Sequence, residues 1–423
     1  MPCGRGWTAG ASRSPRPRTW PGRASGRTAG YRPCPTSCST ARTSTWSSAG
    51  PSRSPSAARG AADLRAARAR PRYGEAVPPA RRRPTLEQVA ERAGVSRATV
   101  SRVVNGAATV EPGLADRVRQ AVDELGYAPN LAARSLMTRR TDAVALVAVE
   151  SPNRVFGDPF FAAVTRGASQ ELGRSGVHMV LSMVQTDADL ERFAGFLRGG
   201  HVDGALVISE HGDHDVVGLV ERCGIAVVAG GRPVATHPDA AHVDHDNREG
   251  GRLAARHLLA RGCRHIGTVA GPQDMTAGVD RLVGFREELG SAFDGSLVEV
   301  GDFTTTGGAR ATSALLQRRP NLDGLFVAND LMALGALTAL REAGRQVPED
   351  VAVIGFDDAD VAAVAAPPLT TVRQRTETQG RLMAQLLLHR LGRRSADPLP
   401  ELDAAEASGA VVLGVQLVVR DSA

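Results

Sequence analysis

The stretch TLEQVAERAGVSRATVSRVVNG, residues 85–106, followed by PNLAARSLM at 129–137, decides how the amino-terminal part of this chain folds. Leu86, Val89 and Ala90 recur at helical intervals, Gly94-Val95 supplies a turn, and Ser96 is suited to cap a second helix. On that second helix Val100, Val103 and Val104 form the buried side, which leaves Arg97, Ala98, Ser101, Arg102 and Asn105 facing outward. The pair predicts a helix-turn-helix whose second helix offers that face to a DNA major groove. A third helix is expected from about Pro112 to Leu125, with Leu114, Val118, Ala121, Val122 and Leu125 as its apolar stripe and Gly126 as its stop. Pro112 suits the first turn of that helix, whereas Glu111 is a weaker cap than Ser or Asp.

Charge has to be read in segments. The formal net charge of +6 comes from residues 1–83, which hold 17 Arg against only Asp63 and Glu75. Residues 84–140 carry 8 Arg and 6 acids, and residues 141–423 carry 26 Arg and 37 acids. A basic balance therefore does not by itself mark a nucleic-acid binder here; the arrangement of residues 85–137 does.

Residues 1–83 are rich in Arg, Pro, Ser and Gly, have almost no aliphatic periodicity, and cannot bury enough apolar surface to offset ordering entropy. Three readings stay open: a translated region upstream of the true start, a disordered basic arm, or a targeting or folded element. The chain has no Lys, as expected of a GC-rich gene in which upstream frames remain open. No apolar run of secretory type follows the basic start. Cys3, Cys34 and Cys38 lie in this leader, and only Cys223 and Cys263 remain beyond it, so no disulfide framework is expected. With no run of 18 apolar residues to span a membrane, a cytoplasmic location is expected.

Four regions are expected: the leader (1–83), a helix-turn-helix head (84–128), a hinge or linker (129–140), and a long body (141–423) large enough for two lobes. In the body, apolar runs at 143–149, 177–181, 204–208, 226–229, 266–270, 297–300, 324–328 and 351–356 alternate with helical patterns at 160–173, 187–198, 247–260, 280–289, 307–318, 330–343 and 374–391. Continuous apolar strands alternating with helices predict an α/β fold of doubly wound parallel sheets covered on both faces. Ligands in such folds bind beyond the carboxyl ends of the strands, and a cleft between two lobes is the natural small-molecule site.

With these residues in view, residues 84–423 resemble the LacI/GalR (lactose-repressor-like) family of bacterial transcriptional regulators. The likeness rests on the head and hinge motifs and on DPFF at 158–161, DNREGGRLAARHLLARGCRHIG at 246–267, RLVGF at 281–285, ANDLMALGAL at 328–337, PEDVAVIGFDD at 348–358, PPLTTVRQ at 367–374 and LVVRDS at 417–422. The resemblance implies a two-lobed body like a periplasmic binding protein, forming a homodimer that holds two heads on a palindromic operator in double-stranded DNA. In the head it implies that Arg97 and Ala98 stand at specificity positions, Arg102 contacts a base, and Ser96, Thr99 and Asn105 meet phosphates. An arginine bidentate to guanine is worth about 1–3 kcal/mol of discrimination. Ala98 offers only a methyl contact, and phosphate contacts set register rather than sequence.

The hinge, which includes Asn130, is too short to be stable as an isolated helix. By the resemblance it folds when two copies meet in the minor groove, Ala133 permitting close approach and Leu136 wedging a base step. For the effector site the resemblance implies Phe160 and Phe161 as an aromatic pair at the cleft edge, Arg281 as the grip on ligand hydroxyls or carboxylate, Asn329 and Asp357 as a polar pair, Phe303 as the stacking ring, and Asp274 as a weaker candidate. Phe160 also reads as core, Asp357 as a helix cap and Arg281 as the partner of a local acid. Asp158 stands where the family motif commonly has Asn, which puts a ligand contact there in doubt.

A sugar effector that releases the operator is favoured, with a purine or other non-sugar effector as the alternative. No cofactor beyond the effector is expected. Phosphate-loop, nucleophile-elbow and His-Glu-x-x-His motifs are missing. The histidines at His201, His211, His214, His242 and His245 fall at loop-like positions and read as solvated rather than metal-binding. A transport solute-binding protein would share the body but need a secretory signal and lack the head; an enzyme on the same fold would need a convergent catalytic set, and none is visible. The end at LVVRDSA without a further heptad segment predicts a dimer.

Overall fold

The computed structural model describes residues 84–104, 110–127, 140–212, 214–233, 237 and 239–423. The leader, Asn105, and the hinge segment with Asn130, Ala133 and Leu136 lie outside the described residues.

The head consists of α1 (Leu86–Ala93), α2 (Arg97–Val104) and α3 (Pro112–Leu125). Thr85 N donates to Gln88 Oε1 at 2.9 Å while Thr85 Oγ1 accepts from Gln88 N, closing a capping box at the start of α1. Gly94 ends that helix at φ 63, a left-handed conformation that a side chain would strain. The apolar stripes meet in a core of Val89, Val100, Val118, Ala121 and Tyr127, with Val103 and Val104 half-buried at its margin. Glu111, the weaker capping residue, does cap α3: its Oε1 accepts from Gly113 N at 3.3 Å.

The body begins with β1 (Ala143–Ala148), α4 (Pro152–Gly157), α5 (Pro159–Arg174), β2 (His178–Met183), α6 (Asp187–Arg198), β3 (Gly204–Ile208), α7 (Val216–Arg222), β4 (Ala226–Gly230) and β5 (His242–His245). It continues through α8 (Asn247–Ala260), β6 (Ile266–Ala270), α9 (Thr276–Leu289), β7 (Val298–Val300), α10 (Thr305–Arg318), β8 (Gly324–Val327), α11 (Asp330–Glu342), β9 (Ala352–Asp357), α12 (Asp360–Val364) and β10 (Thr370–Arg373). The chain then runs through α13 (Thr376–Arg390), α14 (Leu402–Ser408), β11 (Ala410–Leu413) and β12 (Gln416–Val418).

These strands form two six-stranded sheets, ordered β11-β5-β4-β3-β1-β2 and β12-β10-β9-β8-β6-β7. All pairs are parallel except β10 with the edge strand β12. Alternate side chains of β1 explain the double coverage: Val144, Leu146 and Ala148 enter one core with residues of α5 and α13, while Ala145 and Val147 enter another with residues of α6 and α7. The sheets define lobe 1 (β1 to β5, and β11) and lobe 2 (β6 to β10, and β12). The chain passes between them three times, after β5, after β10 and after β11. Every apolar run singled out in the sequence forms a strand. Strands β5, β10, β11 and β12 and helices α4, α7, α12 and α14 were not anticipated, being short or polar. Among the described residues no helix is long and apolar enough to cross a membrane.

Candidate functional site

The carboxyl ends of both sheets open on one solvent-open cleft. Lobe 1 supplies Asp158 and Phe160 at the start of α5, Glu210 after β3, His245 at the end of β5 and Gln379 on α13. Lobe 2 supplies Arg281 from α9, Phe303 before α10, Asp357 at the end of β9 and Gln374 after β10. Three lining residues that are not glycine, Ser209 (φ 59), Phe303 (φ 60) and Asp357 (φ 113), adopt left-handed backbone. Strain of this kind persists where the surroundings over-determine it, and it gathers at ligand sites.

Arg281 is the buried centre of the lobe 2 wall. Its Nε donates to Asn247 Oδ1 at 2.9 Å and its Nη1 to Ala328 O at 2.5 Å; Asp357 Oδ1 lies 3.7 Å from Nη1. The guanidinium stacks 3.7 Å from the Phe356 ring centroid. Burial pulls the Arg281 pKa down, opposed by the nearby Asp357. Burial likewise holds the Asp357 carboxyl well above the usual range despite Arg281, and raises that of Asp158 although Phe160 N donates to it.

Several contacts join the lobes across the cleft. Arg154, on α4, donates to Asp302 O of lobe 2 at 2.7 Å, pairs with Glu150 at 3.4 Å and Asp158 at 3.7 Å, and lies 4.9 Å over the Phe303 ring. His211 stands between Glu150 of lobe 1 (Nε2 to Oε1, 3.2 Å) and Asp274 of lobe 2 (Nδ1 to Oδ2, 2.7 Å). These carboxylates, Glu150 first, push the His211 pKa up to about 9. Arg232 pairs with Asp280 at 2.6 Å, and Thr276 Oγ1 donates to Arg232 O at 2.7 Å.

Of the effector residues expected from the sequence, Phe160, Arg281, Phe303, Asn329 and Asp357 all line the cavity. Phe161 does not: it is 1% exposed, in the core of lobe 1, because the next position on α5 is turned about 100° from Phe160 and faces inward, the two rings meeting edge to face. Asp274 is spent on His211 rather than on the cavity. Asn329 is committed internally, its Oδ1 accepting from Met332 N to cap α11 and its Nδ2 donating to Phe303 O, so it positions the ring. Asp357 is no helix cap; it accepts from Gln374 Nε2. Asp158, whose contact was in doubt, lines the cavity, and Arg154, Glu210, Arg232, His245 and Gln379 were missed.

The histidines also need correcting. His242 and His245 are buried on β5, and burial pushes the His245 pKa down to about 3. His201 is exposed, as expected, and stacks on Phe196, while His211 is the interlobe clasp. Among the described residues no group of three His, Cys, Asp or Glu side chains is placed to hold a metal.

In the head, Ser96 Oγ accepts from Thr99 N at 3.1 Å and meets Thr99 Oγ1 at 2.9 Å, fixing the start of α2. Arg97, Ala98 and Arg102 are exposed, Thr99 and Ser101 half-exposed. Arg97 Nε pairs with Glu87 on α1 at 3.2 Å, which holds the guanidinium at the outer face of the motif.

A model of the lacI family of bacterial regulatory proteins matches residues 85–130, and one of a periplasmic binding protein-like domain matches residues 255–423. The HTH-type transcriptional regulator CelR of Thermobifida fusca is 46% identical over 346 residues, covering 81% of this chain and 99% of that protein. The solved transcriptional regulator CelR–cellobiose complex aligns at TM-score 0.62 and 45% identity, covering 81% of this chain and 100% of that one. The lac repressor dimer bound to operator and the anti-inducer ONPF aligns at TM-score 0.69 and 28% identity, over 80% of this chain and 99% of that one.

Proposed function

Because the chain belongs to the LacI family of bacterial regulatory proteins, we propose that it is a cytoplasmic repressor, dimeric on a palindromic operator, which a neutral sugar in the interlobe cavity releases from DNA. The reading is of a binding protein rather than an enzyme, with the sugar as its one small-molecule requirement.

One observation carries the choice of a neutral effector. Each arginine lining the cavity already has a carboxylate: Arg154 has Glu150 and Asp158, Arg232 has Asp280, and Arg281 has Asp357. An anionic ligand would have to break such a pair, whereas a polyol can take hydrogen bonds from fixed guanidinium and carboxyl groups without displacing them. The CelR complex with cellobiose, nearly half identical to this chain along its full length, supports a β-linked glucose disaccharide. The effector favours one arrangement of the lobes, and the heads of the dimer follow it.

Thermal denaturation with cellobiose, maltose, ribose, guanine and hypoxanthine tests the reading. Cellobiose at a hundred times its Kd should stabilise the protein by about 2.7 kcal/mol. Stabilisation by a purine and by none of the sugars would replace the carbohydrate reading with its alternative.

A further inference from the structure

We propose that Glu87, in the first turn of α1, is a positioning residue for operator reading: it holds the Arg97 guanidinium toward a base edge and off the phosphates, and so sharpens the choice of guanine at one base pair. This rests on the reading of the chain as an operator-binding repressor with Arg97 at a base, and it adds what aims that arginine.

The two arginines on the outward face of α2 are held differently. Arg97 opens the helix and Arg102 lies in its last turn, both exposed. The helix itself, RATVSRVV, carries no acid, so a carboxylate beside either arginine has to come from elsewhere. Glu87 Oε1 lies 3.2 Å from Arg97 Nε. The ion pairs among the described residues of the head are Arg92 with Glu124, Arg97 with Glu87 and Arg119 with Asp116, and Arg102 belongs to none of them.

The backbone that carries this pair is fixed. Gly94 closes the turn between the helices, Ser96 Oγ accepts from Thr99 N to cap α2, and Val89 and Val100 are buried in one core. Glu87 is ionised: its own backbone N–H, then Thr85 and Arg97, hold its carboxyl below the usual range.

The shape of the guanidinium decides what is left for DNA. It carries Nε–H on one side and the two Nη groups at its end. With a carboxylate beside Nε, the Nη end is the part left to project, and it matches the paired O6 and N7 acceptors of guanine; adenine and thymine each offer a single acceptor in the major groove. An arginine without such a neighbour is drawn to phosphates at any sequence. The carboxylate repels those same phosphates, so what Glu87 adds is discrimination between sequences and not affinity.

Selection of duplexes from a randomised pool by the full chain, followed by anisotropy titration of the recovered operator and its single-pair variants, tests this with wild type, Arg97→Ala, Glu87→Ala and Glu87→Gln. The capping box of α1 uses Thr85 and Gln88, and exposed ion pairs stabilise little, so the Glu87 variants should melt with the wild type. Arg97→Ala should erase a guanine preference at one pair of each half-site, which identifies the pair it reads. Glu87→Ala should cut the preference at that pair about threefold or more, keep the other preferences, and bind unrelated duplex more tightly, with a salt slope steeper by about 1. Glu87→Gln, which keeps an oxygen acceptor, should recover part of the preference. A preference cut less than threefold by Glu87→Ala would overturn the positioning role and leave the repressor reading intact. So would loss of a cytosine preference at another pair instead, because a carboxylate can itself accept from cytosine N4. If Arg97→Ala erases no preference, Arg97 reads no base and the role of Glu87 falls with it. A wild type that enriches no sequence would overturn both this role and the repressor reading.

Discussion

His211 shows how one side chain can tie ligand site to lobe geometry. It stands between Glu150 of lobe 1 and Asp274 of lobe 2; Arg154 and the Ser209 hydroxyl share Glu150, and Gly212 N donates to Asp274 O. Its pKa is raised from 6.5 to about 9, so the clasp stabilises the native arrangement fully below about pH 6.5 and loses its contribution as pH climbs through about 9. The difference in urea unfolding free energy between wild type and His211→Gln should accordingly be level below pH 6.5 and shrink toward pH 9. A difference that stays constant through that window would show that the clasp is not ionic. At this scale the sequence is half legible. Arg281, Phe303 and Asp357 are found because each matches a position of the family pattern, two of them inside quoted motifs. Arg154, Glu210 and Gln379 are missed because only the sheets bring loops and helices far apart in the chain to one cavity.

Helix α13 follows β10 of lobe 2 in the chain but packs in lobe 1, on α5. The helices can touch because of Gly167 and Gly380: a Cβ at Gly167 would lie 2.0 Å from the Glu377 carbonyl oxygen, and one at Gly380 2.1 Å from that of Val164. Backbone cannot yield as a flexible side chain can, so Gly167→Ala should destabilise the protein by about 1–3 kcal/mol. The same change at Gly195, on the exposed face of α6 with nothing within 4 Å of its Cβ, should stabilise it by about 0.5–1 kcal/mol. Denaturant titration of both variants separates packing from propensity, and equal effects at the two sites would refute the close approach. Elements with long apolar runs are the legible ones. Strand β5 reads His-Val-Asp-His and is buried throughout only because the fold supplies partners, among them Asn247 Nδ2 donating to Asp244 Oδ1 at 3.0 Å and His242 Nδ1 meeting Ala240 O at 2.9 Å. No local pattern carries that.

At the scale of the whole molecule, neither lobe is a continuous piece of chain. Three crossings connect them, and the Arg154, His211 and Arg232 contacts bridge them beside the cavity. A ligand held by residues of both walls therefore differs in affinity between lobe arrangements, since parting the lobes separates Arg281 and Asp357 from Gln379 and Glu210. That difference is the whole of what a ligand can spend on moving the equilibrium. It obliges reciprocity: if cellobiose weakens operator binding by some factor, operator must weaken cellobiose binding by the same factor, about 5–150-fold for typical couplings. The comparison needs two titrations of the full chain, cellobiose into the free protein and into the protein saturated with a palindromic duplex obtained by selection on it. A matching factor supports the linkage, and Arg154→Ala, which removes a bridge without touching the head, should change that factor while leaving DNA affinity in the absence of sugar within a few-fold of wild type. Cellobiose affinity indifferent to bound operator would mean that occupancy of the cavity does not reach the heads, and the regulatory reading of the cleft would fall with it.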